Sequence, residues 1–298
     1  MGDSSVVPGA SQGIEEHIAR MPSLSVTATR VLEICNNPKT SAIDLNRVIG
    51  LDPVLMGQVL RLVNSAFYGN RGTVTTLPRA IVMLGVNTVK NLVLSLAVLK
   101  VMGDEGAYKT FSMEDFWLHS LCTGVAAKRL AAARGLPLEA CWDCFVGGLL
   151  HDLGKIPLNS LYPAQYAHTL DGLDGHANLF KRERLAFGLD HMQAGGLIGR
   201  KWRLGAVLDD CLSHHHEPDC AAPENRVRVA LVGLADACAK HFMIGNAGGA
   251  SPEREELAAL CATNGLAMDE IEALQGDLAE EIASARTFLQ LSKGEGHA

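Results

Sequence analysis

Apolar residues recur along this chain at intervals of three and four, the period of a helix with one buried face. Ile14, Ile18 and Met21 open the series, Pro22-Ser23-Leu24 breaks it, and Val26, Val31, Leu32 and Cys35 resume it. Ser41 as a cap, with Asp44 in the first turn, predicts a helix to Ile49. Asp52-Pro53 predicts another, carrying Val54, Leu55, Val59, Leu60 and Val63. Pro78 opens a helix that Gly85 closes, and Asn87 caps a strongly apolar one ending near Val101. Further helices are expected over Ser112–Ala133, Leu138–Leu150, Pro163–Leu170, Leu179–Phe187, Leu204–Leu212 and Arg226–Phe242, with one more starting from an Asp190 cap. Ser251-Pro252 is expected to cap a terminal pair of amphipathic helices ending near Leu291. No sustained period-two alternation appears, and no Asn-Gly turn joins two apolar runs as a hairpin. The expected fold class is therefore all-α.

The breaks in the pattern suggest an organisation. Residues 1–13 are small and polar and read as a disordered lead-in, and 14–102 form an N-terminal helical lobe. The polar break Gly103–Tyr108 leads into a second lobe, 103–245. Gly245–Ala250 reads as a flexible link to C-terminal helices over 251–291, and Ser292–Ala298 as a disordered tail. Phe67–Gly72 and Asp171–Gly175 read as loops. The C-terminal helices either pack on the core or serve as a homodimer contact.

Composition narrows the classes. Of 298 residues, 48% are hydrophobic but only 5% aromatic, so the core is mainly aliphatic, which suits packed helices. A net charge of −7 argues against a non-specific nucleic-acid binder. The short basic clusters Lys181-Arg182-Glu183-Arg184 and Arg200-Lys201-Trp202-Arg203 then read as solvated helix faces. The eight cysteines are scattered, and the one CxxC, Cys141 to Cys144, lacks a partner motif, so reduced thiols packed in a core are expected. The longest apolar run, Leu92 to Val101, is too short to span a bilayer, and no secretory signal is visible. These features read as a soluble cytoplasmic protein that does not engage a membrane.

The candidate chemistry centres on Leu149 to Ile156, Leu-Leu-His-Asp-Leu-Gly-Lys-Ile. His151 and Asp152 offer one nitrogen and one oxygen ligand from adjacent positions, a set that suits iron, manganese or zinc. His119, His191, His215, His216 and Asp236 lie in or at the ends of other apolar segments. A helical bundle can bring such side chains to one interior point, where Asp152 would bridge one or two divalent ions. Lys155 is the candidate catalytic residue, a point charge able to steady a phosphate oxygen. Singly, each histidine is more often structural, and His17, His168, His176, His241 and His297 are assigned no role.

The order His119, His151-Asp152, Asp236 resembles the HD superfamily of metal-dependent phosphohydrolases. His191 and His215-His216 resemble the additional ligands of its HD-GYP branch. Leu51-Asp52-Pro53-Val54-Leu55, Leu62 to Tyr68, Ala80 to Gly85, Phe116 to Ser120 and His215-His216-Glu217-Pro218 together resemble the HDOD domain, over roughly residues 14 to 245. The resemblance implies an HD-like helical bundle with an N-terminal helical lobe, and a place in bacterial signal transduction. It implies a signalling protein or a small-molecule signal as partner. Two functions follow: a regulatory module that binds such a partner and retains its metal, or a metal-dependent phosphohydrolase acting on a nucleotide or phosphodiester. No Gly-Tyr-Pro follows His216; Glu217-Pro218-Asp219-Cys220 stands there instead, which argues against cyclic-di-GMP hydrolysis.

Overall fold

A computed structural model of the chain describes residues 6–35, 40–65, 73–103, 105–171 and 178–292. The expected loop at Phe67–Gly72, most of the one at Asp171–Gly175, and the tail beyond Ser292 lie outside these residues. Within them every regular element is a helix, and the fold is all-α.

The stretch expected as the N-terminal lobe holds α1 (Ala10–Arg20), α2 (Val26–Cys35), α3 (Ala42–Ile49), α4 (Pro53–Val63), α5 (Leu77–Leu84) and α6 (Val86–Met102), but α1 packs chiefly on two later helices, those over Lys155–Leu161 and His191–Trp202. Ser41 and Asp44 form a reciprocal capping box on α3, and the Asp52 carboxylate accepts from the Leu55 N–H at the start of α4. α6 is apolar all round and buried on nearly every face, as a central helix should be. α5 and α6 meet at 114° across Gly85, whose φ of 86° only glycine adopts freely. Among the described residues no single helix is long and apolar enough to cross a membrane.

The second lobe is built on α7 (Met113–Ala133), equally buried, with α8 (Leu138–Leu150) and α14 (Arg226–His241) packed along it. α9 (Lys155–Leu161), α10 (Pro163–Leu170), α11 (Leu179–Phe187), α12 (His191–Trp202) and α13 (Ala206–His214) complete it. α15 (Arg254–Thr263) lies on α14, α16 (Met268–Ala285) on α7, and α17 (Thr287–Ser292) reaches back to α6 and α4. The C-terminal helices thus pack on the core and touch both lobes.

Five local expectations change. α6 starts at Val86 directly after Gly85, so Asn87 lies inside its first turn instead of capping it. α1 starts at Ala10, not Ile14; Ala10 is buried and the Val7 N–H donates to the Ala186 carbonyl, so the end of the lead-in is ordered. α15 is preceded by Glu253 rather than capped by Ser251, and the terminal pair is a trio. The link 245–250 is irregular but pinned. The Asn246 N–H donates to the Asp115 carbonyl, Ala247 is buried, and Gly245, at φ 68°, lies where a Cβ would overlap the His119 backbone nitrogen. Lastly, the two basic runs are not uniformly solvated, because Glu183 and Trp202 point inward.

One contact sets the registry of the second lobe. Gly154, just after His151-Asp152, sits so close to α12 that a Cβ would overlap the His191 carbonyl oxygen and crowd the Gly195 nitrogen. Gly154→Ala is expected to force α9 and α12 apart and lower stability by about 1–3 kcal/mol. Urea unfolding followed by circular dichroism measures the loss.

Candidate metal centre

Seven side chains foreseen in the sequence converge where α7, α8, α12, α13 and α14 meet. His119 comes from the middle of α7, His151-Asp152 from the turn after α8, and His191 from the first position of α12. His215 and His216 follow α13, and Asp236 comes from the middle of α14. Asp190 caps α12 through a capping box with Gln193, fixing the turn in which His191 sits. They form two groups with donor atoms within 4.8 Å of one another: His119, His151, Asp152 and Asp236; and His191, His215 and His216. Asp152 stands between the groups. Its Oδ2 lies 3.2 Å from His151 Nε2 and 3.8 Å from His119 Nε2. Its Oδ1 lies 3.7 Å from His191 Nε2 and 3.8 Å from His215 Nε2.

The hydrogen bonds behind the rings fix which nitrogen faces inward. Carbonyl and carboxylate oxygens only accept, so a ring nitrogen bonded to one must carry the hydrogen. His151 Nδ1 donates to Gly148 O at 2.7 Å and His215 Nδ1 to Cys211 O at 3.0 Å. His191 Nδ1 donates to Glu183 Oε2 at 2.5 Å. Each therefore turns its Nε2 inward. The consequence is sharpest where His191 Nε2 faces His215 Nε2 at 3.3 Å: with both Nδ1 atoms protonated, the pair needs either a further proton or a metal ion to avoid opposing two lone pairs. In the other group His119 Nε2, His151 Nε2, both Asp152 oxygens and Asp236 Oδ1 are buried with only one another and Lys155 for partners: His119 Nε2 lies 3.0 Å and His151 Nε2 3.5 Å from Asp236 Oδ1, contacts that hold only while a proton or a cation sits among them. Buried polar atoms left in this state cost free energy, and a cation among them removes the cost. The donors thus fit a transition-metal centre, and carboxylate- or carbonyl-backed imidazoles are the usual support of such ligands.

Charge follows the same geometry. Burial raises Asp152, but His151 and Lys155 outweigh it and hold the carboxyl well below its ordinary range. Asp236 is likewise raised by burial, yet held well below by Lys240 and the two nearby imidazoles. Burial lowers His151, but Asp152 and Asp236 carry it up to about 9. Burial also lowers His215 and His216, to well below the usual imidazole range, so both are neutral donors.

Lys155 does not stand ready for a phosphate. It is fully buried, with Nζ 2.7 Å from Asp152 Oδ2 and donating to the carbonyls of Ala247 and, at 3.4 Å, Gly248. Its place is that of a counter-charge positioning Asp152. The cation nearer the surface is Lys240, one turn beyond Asp236, donating to Asp236 Oδ2 at 2.7 Å. With His215, His216 and Asp236 it lines a cleft of about 470 Å³ between α11, α14 and α15.

Sequence reasoning missed Lys240, Glu183 and Tyr166. Glu183 accepts from the His191 N–H, from its Nδ1, and from the Tyr166 hydroxyl at 3.0 Å. Its signal was present: Leu179, Phe180, Glu183, Ala186 and Phe187 form the buried stripe of α11, so Glu183 falls on the apolar face. Lys240 carried the i,i+4 spacing from Asp236.

The HDOD domain pattern matches residues 21–218. The chain belongs to the HDOD family. The match stops before Asp236, so α14 and the helices after it lie beyond the family pattern. An HDOD domain protein of unknown function from Geobacter sulfurreducens aligns with TM-score 0.74 and 20% identity, over 94% of this chain and 97% of that one. A candidate phosphohydrolase from Shewanella amazonensis SB2B aligns with TM-score 0.66 and 23% identity, over 95% and 98%. A candidate signal transduction protein from Marinobacter aquaeolei VT8 aligns with TM-score 0.71 and 21% identity, over 98% and 68%. At these identities the shared property is the fold. An uncharacterized protein of Treponema pallidum (strain Nichols) is 24% identical over 223 residues; the matched region is 74% of this chain but 42% of that protein.

Two outcomes follow from the geometry. Glu183→Gln is expected to weaken metal retention by about 10–100-fold, the usual cost of losing the partner behind a ligating imidazole; chelator competition measures it. His151, raised to about 9, must lose a proton before its Nε2 can bind a cation. Metal affinity should therefore fall as pH drops below about 9, by up to about tenfold per unit for one displaced proton, and level off above it. The same competition at pH 7, 8 and 9 checks the sign.

Proposed function

We propose that this HDOD protein is a bacterial signal-transduction module that works through a retained two-metal centre, with Asp152 as the shared ligand. A phosphate-bearing small molecule reaching that centre through the cleft is its signal. The observation that carries this reading is the convergence of seven buried or half-buried donors in two groups on either side of Asp152, with the Nε2 atoms of His191 and His215 facing each other at 3.3 Å, a contact that a shared proton or a metal ion satisfies. His119, His151 and Asp236 would hold a second ion, and Asp152, which stands between the two groups, would serve both. Iron, manganese and zinc all suit such mixed nitrogen and oxygen donors. When bound, the pair supplies Lewis acidity toward a phosphoryl oxygen.

The chain's own residues divide the remaining work. Lys155 and the 247–248 carbonyls hold Asp152 in place. Glu183 and Tyr166 orient His191. Lys240 offers positive charge at the open side, where an anion arrives. His216 lies face to face with Phe180, ring centroids 5.5 Å apart, and forms part of the approach.

A second reading, hydrolysis of a phosphodiester or nucleotide, is favoured by one observation: the full set of seven donors is kept beside a cleft large enough for a ligand. Cyclic-di-GMP is the less suited substrate, since Glu217 stands where the Gly-Tyr-Pro would begin and is tied to Arg184 at 3.0 Å.

Metal analysis of purified protein tests the core of the proposal. We expect one to two equivalents of a transition metal, largely lost in His151→Ala; no metal in the parent chain overturns it. Calorimetry with inorganic phosphate, and turnover of a panel of phosphodiesters and cyclic dinucleotides, then separate the readings. Binding without turnover supports the regulatory one, and metal-dependent turnover abolished by His151→Ala supports the enzyme.

A further inference from the structure

The cleft over the centre has two walls. One is made of residues around the metal site: Asn178, Phe180, His216, Asp236 and Lys240. The other is α15, which lies beyond the residues matched by the HDOD pattern. Leu257 and Cys261, four residues apart, are fully buried and anchor α15 to the core. Glu256, Leu260, Thr263 and Asn264 fall on the adjoining stripe, at the i, i+4, i+7 and i+8 spacing of one helix face, and line the cleft. Glu256 and Thr263 are exposed, and Leu260 keeps 37% of its surface accessible. The inner end of the same cleft reaches Asp236, whose buried Oδ1 faces His119 Nε2 at 3.0 Å inside the donor cluster.

We propose that α15 is the outer wall of the ligand site, and that Leu260 and Thr263 set the size of the molecule that reaches the metal centre. This rests on the reading of the centre as a phosphate-binding site. The inner wall, with Lys240 and the metal donors, takes the phosphate group. The outer wall faces it across the cleft and decides what may be attached to that phosphate. A bulky side chain on the exposed stripe should act as a steric block against large ligands while leaving small ones unaffected.

The test uses the full-length protein reconstituted with manganese, with inorganic phosphate and bis(p-nitrophenyl) phosphate as probes in calorimetry. Leu260→Trp and Thr263→Trp both leave the anchors Leu257 and Cys261 in place. They are expected to keep the metal content and the phosphate Kd within about twofold, and to weaken the diester by about tenfold or more. Leu260→Ala is expected to bind the diester as well as the parent or better. Unchanged diester affinity in both tryptophan variants overturns the proposal, as does an equal loss of both probes with metal retained. A parent protein that holds manganese but binds neither probe overturns the phosphate-site reading itself, and the wall with it. A parent that binds both probes, with tryptophan variants indistinguishable from it, sinks the wall alone.

Discussion

A carboxylate that is 1% exposed, Asp152, is the constraint around which this molecule is built. An ionised group removed from water is sustained only by opposite charge and hydrogen bonds close at hand. The chain answers with Lys155 from the next helical turn and with imidazoles from α7, α12 and the end of α13. None of these can retreat to solvent, since His119, His151, His191 and His215 are buried as completely as Asp152. The arrangement is thus all-or-nothing. Removing one partner leaves a buried charge uncompensated, which costs far more than the pair contributes.

Much of the surrounding fold is what it takes to bring those groups together. α8 must stop immediately before His151, and α9 must start at once with Lys155, so the connection is made in the turn 151–154. Gly154 permits it because α12 passes where a side chain would be. The capping box at Asp190 then aims His191, and Glu183, on the inner face of α11, locks its ring. On the far side the 245–250 stretch presses on α7 next to His119 and turns two carbonyls onto Lys155. A segment that looks like a spacer in sequence is a brace for the site, and its glycines are what allow it to lie so close.

How much of this was legible beforehand depended on whether the signal was local. Helix starts were, because caps and prolines act within four residues; Ser41, Asp52, Ser112 and Asp190 each sit at the boundary expected of them. The seven convergent residues were legible only jointly, through an order that resembles the ligand series of the HD superfamily; singly, only Asp236, with apolar neighbours on both sides, stood out. Partners defined by tertiary proximity were not. Glu183 was lost among its basic neighbours, although its place on the apolar stripe of α11 marked it. Lys155 was read as a free cation because nothing local shows that Ala247 and Gly248, about ninety residues away, would occupy its ammonium. Lys240 went unnoticed for the converse reason: its i,i+4 relation to Asp236 is common on any helix and gains meaning only once a cleft is seen beside it.

The charge balance of the site gives a reason for an anion to be drawn there. Asp152, Asp236 and Glu183 are carboxylates, and Lys155 and Lys240 are the cations paired with the first two. Without a metal, that set carries one net negative charge, and the proton that Asp152 and Asp236 hold on His151 balances it. Filling both groups of donors with divalent ions displaces that proton and leaves several positive charges in a space largely closed to water. Such a site demands negative charge. The approach from solvent lies along the cleft, past Lys240 and His216 on one side and α15 on the other. The electrostatics therefore select an anion of almost any kind, and discrimination falls to the shape of that approach. In that division the donor cluster supplies the charge, and α15, facing it across the cleft, supplies the shape.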